Sequence, residues 1–356
     1  MNVYFYRAEC GDAARVHFRG NDGKRHNIFI DSGYERTFEL ILRQEISKIK
    51  TRGDRIDMWL ISHIHDDHIG GAVAYLKAIK TGELPDIVDS WIYNPPRPAG
   101  LQINGRQTSP LQTLSSIEQG DGLTGYLSDH GKIPQSDITS KFPVQDLFGL
   151  KLTMLAPQPT QLGKLRDKYA PGRVRSLQRI EPEPEEAARQ FDYHIPLGEF
   201  DPEEWNEDDS VENGSSISLL MDAGGKKILW LADSLPGSII RSLKKLGYSK
   251  TNPLVCDWVK VTHHGSKGNN SLDLYDMIRC NNYLISADGR NKHCLPTKEC
   301  LARILRSRFR PLDSRYFLVF TYNNKVLRKI FDVDGPGVFD QYNFQVKYSD
   351  RKWIRV

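Results

Sequence analysis

Nothing in the 356-residue sequence approaches the roughly 18 consecutive apolar residues of a membrane-spanning helix, and the opening MNVYFYRAECGD lacks a basic stretch followed by an apolar run. Membrane insertion and secretion are therefore both disfavoured. Cysteine is also scarce: Cys10, Cys256, Cys280, Cys294 and Cys300 are odd in number and form no C-x-x-C pair. Neither a disulfide framework nor a thiolate zinc site is indicated, and a reducing cytoplasm is the expected setting. Excess charge is lacking too. Forty-nine basic residues against 45 acidic ones leave a net charge of +4, which neither requires nor forbids a phosphate-rich partner, because a local patch serves as well as a global excess. No repeat of fixed period occurs, and 39% hydrophobic with 26% charged residues excludes collagen-like and wholly disordered chains.

What is present is an alternation of strands and helices. Val3 to Arg7, Ala14 to Phe18 and His26 to Asp31 read as strands separated by GD and NDGK turns, and the last ends on an acid. A helix is expected from about Glu35 to Lys50, then the buried strand IDMWLI, then a helix over GAVAYLKAIK and a strand over PDIVDSWIY. Asn94 to Gln145 reads as loops around one or two helices, and Leu150 to Ala156 as a strand. The next segment is basic at Lys164, Arg166, Lys168, Arg173, Arg175 and Arg179, then acidic from Glu181 to Glu212, which suggests a lid or a docking surface for a basic protein partner. Strands resume at Ser215 to Met221, Lys227 to Leu231, Trp258 to Thr262 and Asn282 to Ser286, with helices near Pro236 to Leu246, Leu272 to Cys280 and Thr297 to Arg308.

The chemistry concentrates in His63-Ile64-His65-Asp66-Asp67-His68, an H-x-H-x-D-H run just past a buried strand. Imidazole nitrogens and carboxylate oxygens are the usual ligands of zinc and related divalent ions. On a turn, His63 and His65 can face one ion while Asp67 and His68 face another. Two adjacent ions need a bridging carboxylate and further ligands. Asp233 ends the strand KILWLAD, and His263-His264-Gly265-Ser266 follows the strand DWVKVT. Each lies at a strand's C-terminal end, where α/β sheets build their sites.

The order IFIDSG, HIHDDHIGG, NGSSISLLMDAGGKKILWLADS and VKVTHHGS resembles the metallo-β-lactamase superfamily, and within it the branch of the DNA-uptake competence channel's metallohydrolase domain. AECGDAARVHF and KLTMLAP are similar to further strands of that branch. The resemblance implies an α/β (α+β) fold, a four-layer αββα sandwich with polar insertions. It implies a hydrolase domain over residues 1–310, insertions at about 97–148 and 158–212, and a β-rich extension over 311–356. It assigns His63 and His65 to a first metal, Asp67 and His68 to a second, Asp233 as the bridge and His264 as completing the second site. Asp31 becomes a buried structural acid, and His263 a residue beside the site or facing substrate. The sequence departs from the superfamily where a third histidine would fill the first site. Asn213 stands there, and His130 and His194 are the other candidates. In the final motif, Asn291 to Pro296, leucine replaces a histidine, and His293 lies two residues earlier.

The cofactors implied are two divalent ions, zinc or manganese, and the activity a phosphodiesterase or nuclease acting on DNA, RNA or nucleotide phosphodiesters. Asp67 and Asp233 would position the attacking water, and His263 or Lys267 would steady developing charge. A lactone, thioester or β-lactam hydrolase is the alternative, favoured if His194 proves a metal ligand; a non-catalytic component of a defence system is a third. Arg290, Lys292, Lys298, Arg303, Arg306, Arg308 and Arg310 face the single acid Glu299, so their segment reads as an exposed cationic face suited to a polyanion.

Overall fold

Side chains alternate between the two faces of a strand, so a strand buried on both sides must be apolar at nearly every position. That holds for the central strands of the computed structural model, which describes residues 1–97, 112–170, 190–311 and 313–356. In chain order its strands are β1 (Asn2–Tyr6), β2 (Ala13–Arg19), β3 (Arg25–Asp31), β4 (Ile56–Leu60), β5 (Val88–Ile92), β6 (Gln145–Leu147), β7 (Leu150–Ala156), β8 (Ser218–Ala223), β9 (Lys226–Trp230), β10 (Leu254–Val255), β11 (Trp258–Lys260), β12 (Ile278–Arg279), β13 (Asn282–Ile285), β14 (Tyr316–Phe320), β15 (Phe344–Tyr348) and β16 (Trp353–Arg355). One sheet has the order β16-β1-β2-β3-β4-β5, and the other β15-β14-β13-β11-β9-β8-β7-β6. Both sheets are mixed. β3, β4 and β5 run parallel after an antiparallel meander, and β9, β11, β13, β14 and β15 run parallel beside an antiparallel β6-β7-β8.

The cores show why the layers stack. Ile28 and Ile30 of β3, Met58 and Leu60 of β4, and Ile228 and Trp230 of β9 meet in one cluster between the sheets. Phe5 of the first sheet stacks on Trp230 of the second at 5.5 Å. Phe29 and Trp59 point the other way, onto the helices Arg43–Thr51 and Asp66–Lys80. Leu229 and Leu231 pack beneath the helices Pro236–Lys245 and Lys298–Leu305. The result is the αββα sandwich. Residues 311–356 supply β14, β15 and β16, which add strands to both sheets.

Several elements differ from expectation: the strand expected from Ser215 begins at Ser218, and the helix expected from Glu35 contains a π-helical run over Phe38–Leu42. The helix starting at Leu272 stops at Tyr275, because Ile278–Arg279 pairs with Leu254–Val255 in a small parallel ladder. β11 ends at Lys260, because the chain turns into left-handed geometry at His263 and His264. Arg173, Arg175, Arg179, Glu181, Glu183, Glu185 and Glu186 lie outside the described residues. Among the described residues no helix is long and apolar enough to cross a membrane.

Candidate metal centre

Two loops build the first half of the site. After β4 the chain passes through His63 and Ile64 to His65, which precedes the helix Asp66–Lys80 in extended geometry with φ −65° and ψ 143°. Asp67 and His68 thus fall in the first helical turn, where exposed amide N–H groups favour an acid. Asp66 turns away and accepts a hydrogen bond from Gln119 Nε2 at 2.6 Å. The second half comes from the other sheet. Asp233 follows β9 past Ala232, at φ 44°, and His263 and His264 follow β11 at φ 43° and 53°. Left-handed backbone costs about 1 kcal/mol or more for a residue with a Cβ. It is held here by the Ala232 carbonyl, which accepts the His263 amide at 2.7 Å.

The side chains converge on Asp233. Its Oδ2 lies 3.3 Å from His68 Nε2, 3.5 Å from His264 Nε2, and 3.8 Å from the Nε2 atoms of both His63 and His263. Asp67 Oδ2 is 3.3 Å from His264 Nε2 and 3.7 Å from His68 Nε2. Two ligand groups share Asp233: Asp67, His68, Asp233 and His264 in one, His63, His65 and Asp233 in the other. Within each group the ligating atoms lie within 4.8 Å of one another.

The donor chemistry fits divalent ions. His63 Nε2, His68 Nε2, His264 Nε2 and both Asp233 oxygens are buried without any hydrogen-bond partner, a state that buried polar groups avoid. The opposite ring nitrogens are engaged. His68 Nδ1–H donates to Asp31 Oδ2 at 3.0 Å, and His264 Nδ1–H to the Ser286 carbonyl at 3.0 Å. His63 Nδ1 is 3.1 Å from the Ser62 hydroxyl. Imidazoles tied at one nitrogen and aimed at a shared point with the other are the usual geometry of metal ligands.

The electrostatics describe a pocket that draws positive charge. Burial, reinforced by neighbouring histidines, holds His63 well below the ordinary imidazole value, so its Nε2 keeps a lone pair. Burial also opposes charge on His68 and His264, but Asp233 and its neighbouring acids outweigh it, raising His264 to about 9 and His68 well above its usual value. Asp233 is driven well below the carboxylate range, because His68, His264 and His263 outweigh its burial.

The cluster lies at the base of a cleft of about 520 Å³, lined by His65, Asp67, Asn213, His263, His264 and Arg290 among others. Asn213 is buried with Oδ1 unpartnered, while its Nδ2 donates to Asp208 Oδ2 at 2.6 Å. His194 and His130 are exposed, tied to the backbone carbonyls of Phe191 and Tyr126, and neither lines the cleft. His293 lines the rim. Lys267 stands apart. The short turn Lys267–Asn269 carries it outward, 64% exposed, onto Glu299 at 3.3 Å.

Sequence reasoning missed Lys260 and Asp12. Lys260 is 0% exposed, pairs with Asp12, donates to the Ala232 carbonyl at 3.1 Å and lies 3.9 Å from Asp233 Oδ1. Asp12 also accepts from the Ser286 hydroxyl at 2.5 Å. A lysine amid the apolar run of β11 was the available signal. The cationic face expected between Arg290 and Arg310 is not one surface, because Lys298, Arg303 and Arg310 are buried. An amphipathic helix turned its cations inward to meet carbonyls and acids.

The sequence model described as the metallo-beta-lactamase superfamily matches residues 21–123. The chain is 27% identical over 121 residues to ComE operon protein 3 of Bacillus subtilis (strain 168), covering 33% of this chain and 15% of that protein. Among solved structures it is similar to zinc-bound PqqB from Methylobacterium extorquens (TM-score 0.41, 9% identity, 100% of this chain, 99% of that one) and to a CmlA β-hydroxylase variant (TM-score 0.38, 12% identity, 100% of this chain, 53% of that one). The H-x-H-x-D-H loop lies inside the matched segment, at the mouth of a four-layer sandwich. Residues 21–123 thus match the sequence model of the metallo-beta-lactamase superfamily, and the two-sheet αββα sandwich that continues them is consistent with that superfamily's fold.

Proposed function

We propose that the protein is a binuclear metal-dependent phosphodiesterase acting on nucleic acid or nucleotide phosphodiesters. The observation that carries the reading is Asp233, whose two buried, unpartnered oxygens are shared by both ligand groups, one of them short of a third histidine. Asn213 stands at that point of the sequence, and the exposed His194 joins neither ligand group. Imidazoles mixed with carboxylates suit zinc and leave room for manganese, and among the described residues neither ligand group holds the third histidine that would favour a lactone or thioester substrate. Divalent ions held by these residues would activate water and draw charge from a phosphoryl oxygen.

The chain's own groups set up the rest. Asn269 Nδ2 is committed as a donor to Asp208 Oδ2 and to the Asp233 carbonyl, so its Oδ1 must accept from His263 Nδ1–H at 2.7 Å. That bond fixes the tautomer and turns His263 Nε2 to the cleft, where it can take or return a proton. Lys260 places a buried positive charge beneath Asp233 and Asp12, offsetting part of the carboxylate repulsion. Glu299 holds Lys267 outside the cleft, so His263 is the better placed of the two for handling charge on substrate.

The test is hydrolysis of bis(p-nitrophenyl) phosphate by metal-free protein reconstituted with manganese or zinc, with Asp67→Ala as the pair. Turnover by the wild type should fall roughly a hundredfold or more in the variant, the scale of losing one preorganised electrostatic group. A wild type that is fully loaded with either metal and still inert would overturn the reading.

A further inference from the structure

Seven cations lie between Arg290 and Arg310, and the fold gives them two different tasks. Lys298 pairs with Asp334 and donates to the Ile195 carbonyl at 2.7 Å. Arg303 donates to the carbonyls of Lys267 and Glu204, and Arg306 to those of Leu197, Gly198 and Phe200. Arg308 clasps Asp276, and Arg310 holds the carbonyls of Leu305 and Asn343. These five fasten the helix Lys298–Leu305 and its flanks to the body of the protein. Arg290 and Lys292 alone of the seven line the cleft.

The loop that presents them is braced from within. Gly289 takes φ +67°, and the Asn291 side chain accepts from the amides of His293 and Leu295 at 3.2 and 2.9 Å while donating to the Leu295 carbonyl at 2.8 Å. Asp288 Oδ1 accepts the Arg290 amide at 2.9 Å, and Asn324 Nδ2 donates to the Asp288 carbonyl at 2.6 Å. The polar side chains of this loop thus shape its backbone, whereas the Arg290 guanidinium makes no hydrogen bond or ion pair among the described residues.

The acids of the cleft do not claim that guanidinium. The Asp208 carboxylate is taken up by Asn213, Asn269 and the Ser210 amide. Glu9 faces Arg36 at 3.5 Å. A planar, permanently charged fork of donors on a braced loop beside a metal cluster matches the oxygens of a phosphate better than a carbonyl.

We propose that Arg290 binds a phosphate next to the scissile one, so that the substrate is a phosphodiester chain rather than an isolated diester. The inference rests on the phosphodiesterase reading for the word scissile, while the phosphate contact stands on the loop alone.

The test is fluorescence anisotropy of a single-stranded phosphorothioate oligodeoxynucleotide, which keeps the backbone charge and resists cleavage, titrated with metal-loaded protein over a range of salt. Arg290→Ala should weaken binding roughly tenfold near about 0.1 M salt and reduce the log–log salt slope by about 0.7, the value for one phosphate contact on a single strand. Arg290→Lys should recover the slope and only part of the affinity. Lys244→Ala, an exposed charge on the helix Pro236–Lys245 away from the cleft, should change neither. Equal affinity and slope in wild type and Arg290→Ala would overturn the proposal, as would an equal loss in Lys244→Ala. Hydrolysis of bis(p-nitrophenyl) phosphate by the wild type separates the two readings. Hydrolysis without any Arg290 effect on binding overturns the chain contact and leaves the phosphodiesterase standing. An Arg290 effect in a protein that hydrolyses no diester overturns the phosphodiesterase and supports the phosphate contact.

Discussion

Asp31 never reaches the cleft, yet it decides where His68 points. Its Oδ1 accepts the Ser62 amide at 2.7 Å, and its Oδ2 accepts His68 Nδ1–H at 3.0 Å. Asp31→Asn keeps the size but removes the charge that raises the basicity of that imidazole. Divalent-metal affinity measured by calorimetry should fall roughly ten- to a hundredfold, the usual effect of losing such a support; an unchanged affinity would mean that His68 is not a ligand. Single residues were also where the sequence was most and least legible. His63, His65, Asp67, His68, Asp233 and His264 announce themselves because ligand types cluster at strand ends. Asp12, Asp208 and Lys260 do not, because an acid or a lysine acquires its meaning only from the partner the fold brings to it.

At the scale of elements, the turn between β2 and β3 is fastened by His26, 4% exposed, whose ring lies between Asp22 at 3.0 Å and Asp57 at 2.7 Å and stacks on Phe148 at 3.8 Å. Burial lowers the basicity of this imidazole, but the two acids outweigh it and raise it above its ordinary 6.5. The protonated form is therefore the one the fold favours. Its contribution to stability is complete below pH 6.5 and is lost as pH rises through the higher folded value. Chemical denaturation at several pH values should show that loss in the wild type and not in His26→Gln; parallel profiles would refute it. A second fastening is Arg303, 1% exposed, which joins the helix Lys298–Leu305 to the carbonyls of Lys267, Asn270 and Glu204. Arg303→Met should cost about 2 kcal/mol or more in urea denaturation, because it strands the carbonyls of Asn270 and Glu204, while the Lys267 carbonyl keeps Trp205 and Glu299 keeps Lys267. A loss under about 1 kcal/mol, the range of an ordinary surface change, would show that these bonds are dispensable. The sequence disclosed the helix and its period but not this inward turn, since a cation facing a carbonyl and one facing water are the same letter.

Across the whole molecule, the two sheets were legible as alternating apolar strands and helices, whereas the placement of β16 beside β1 was not, because no local pattern specifies pairing between residues as far apart as Tyr4 and Arg355. The same long reach governs the cluster. His63, His65, Asp67 and His68 follow β4 of the first sheet; Asp233, His263 and His264 follow β9 and β11 of the second. An ion taken up between them is a rivet through the sandwich, and its occupancy becomes part of the folding equilibrium. Thermal melting should then rise with free metal by the linkage relation, about 2.7 kcal/mol of added stability at a hundredfold excess over the dissociation constant, and chelator should reverse it. A melting temperature indifferent to metal would mean that the folded protein does not bind the ions in preference to the unfolded chain. Seen this way, scarcity of metal would do more than silence the site: it would loosen the seam on which both halves of the protein depend.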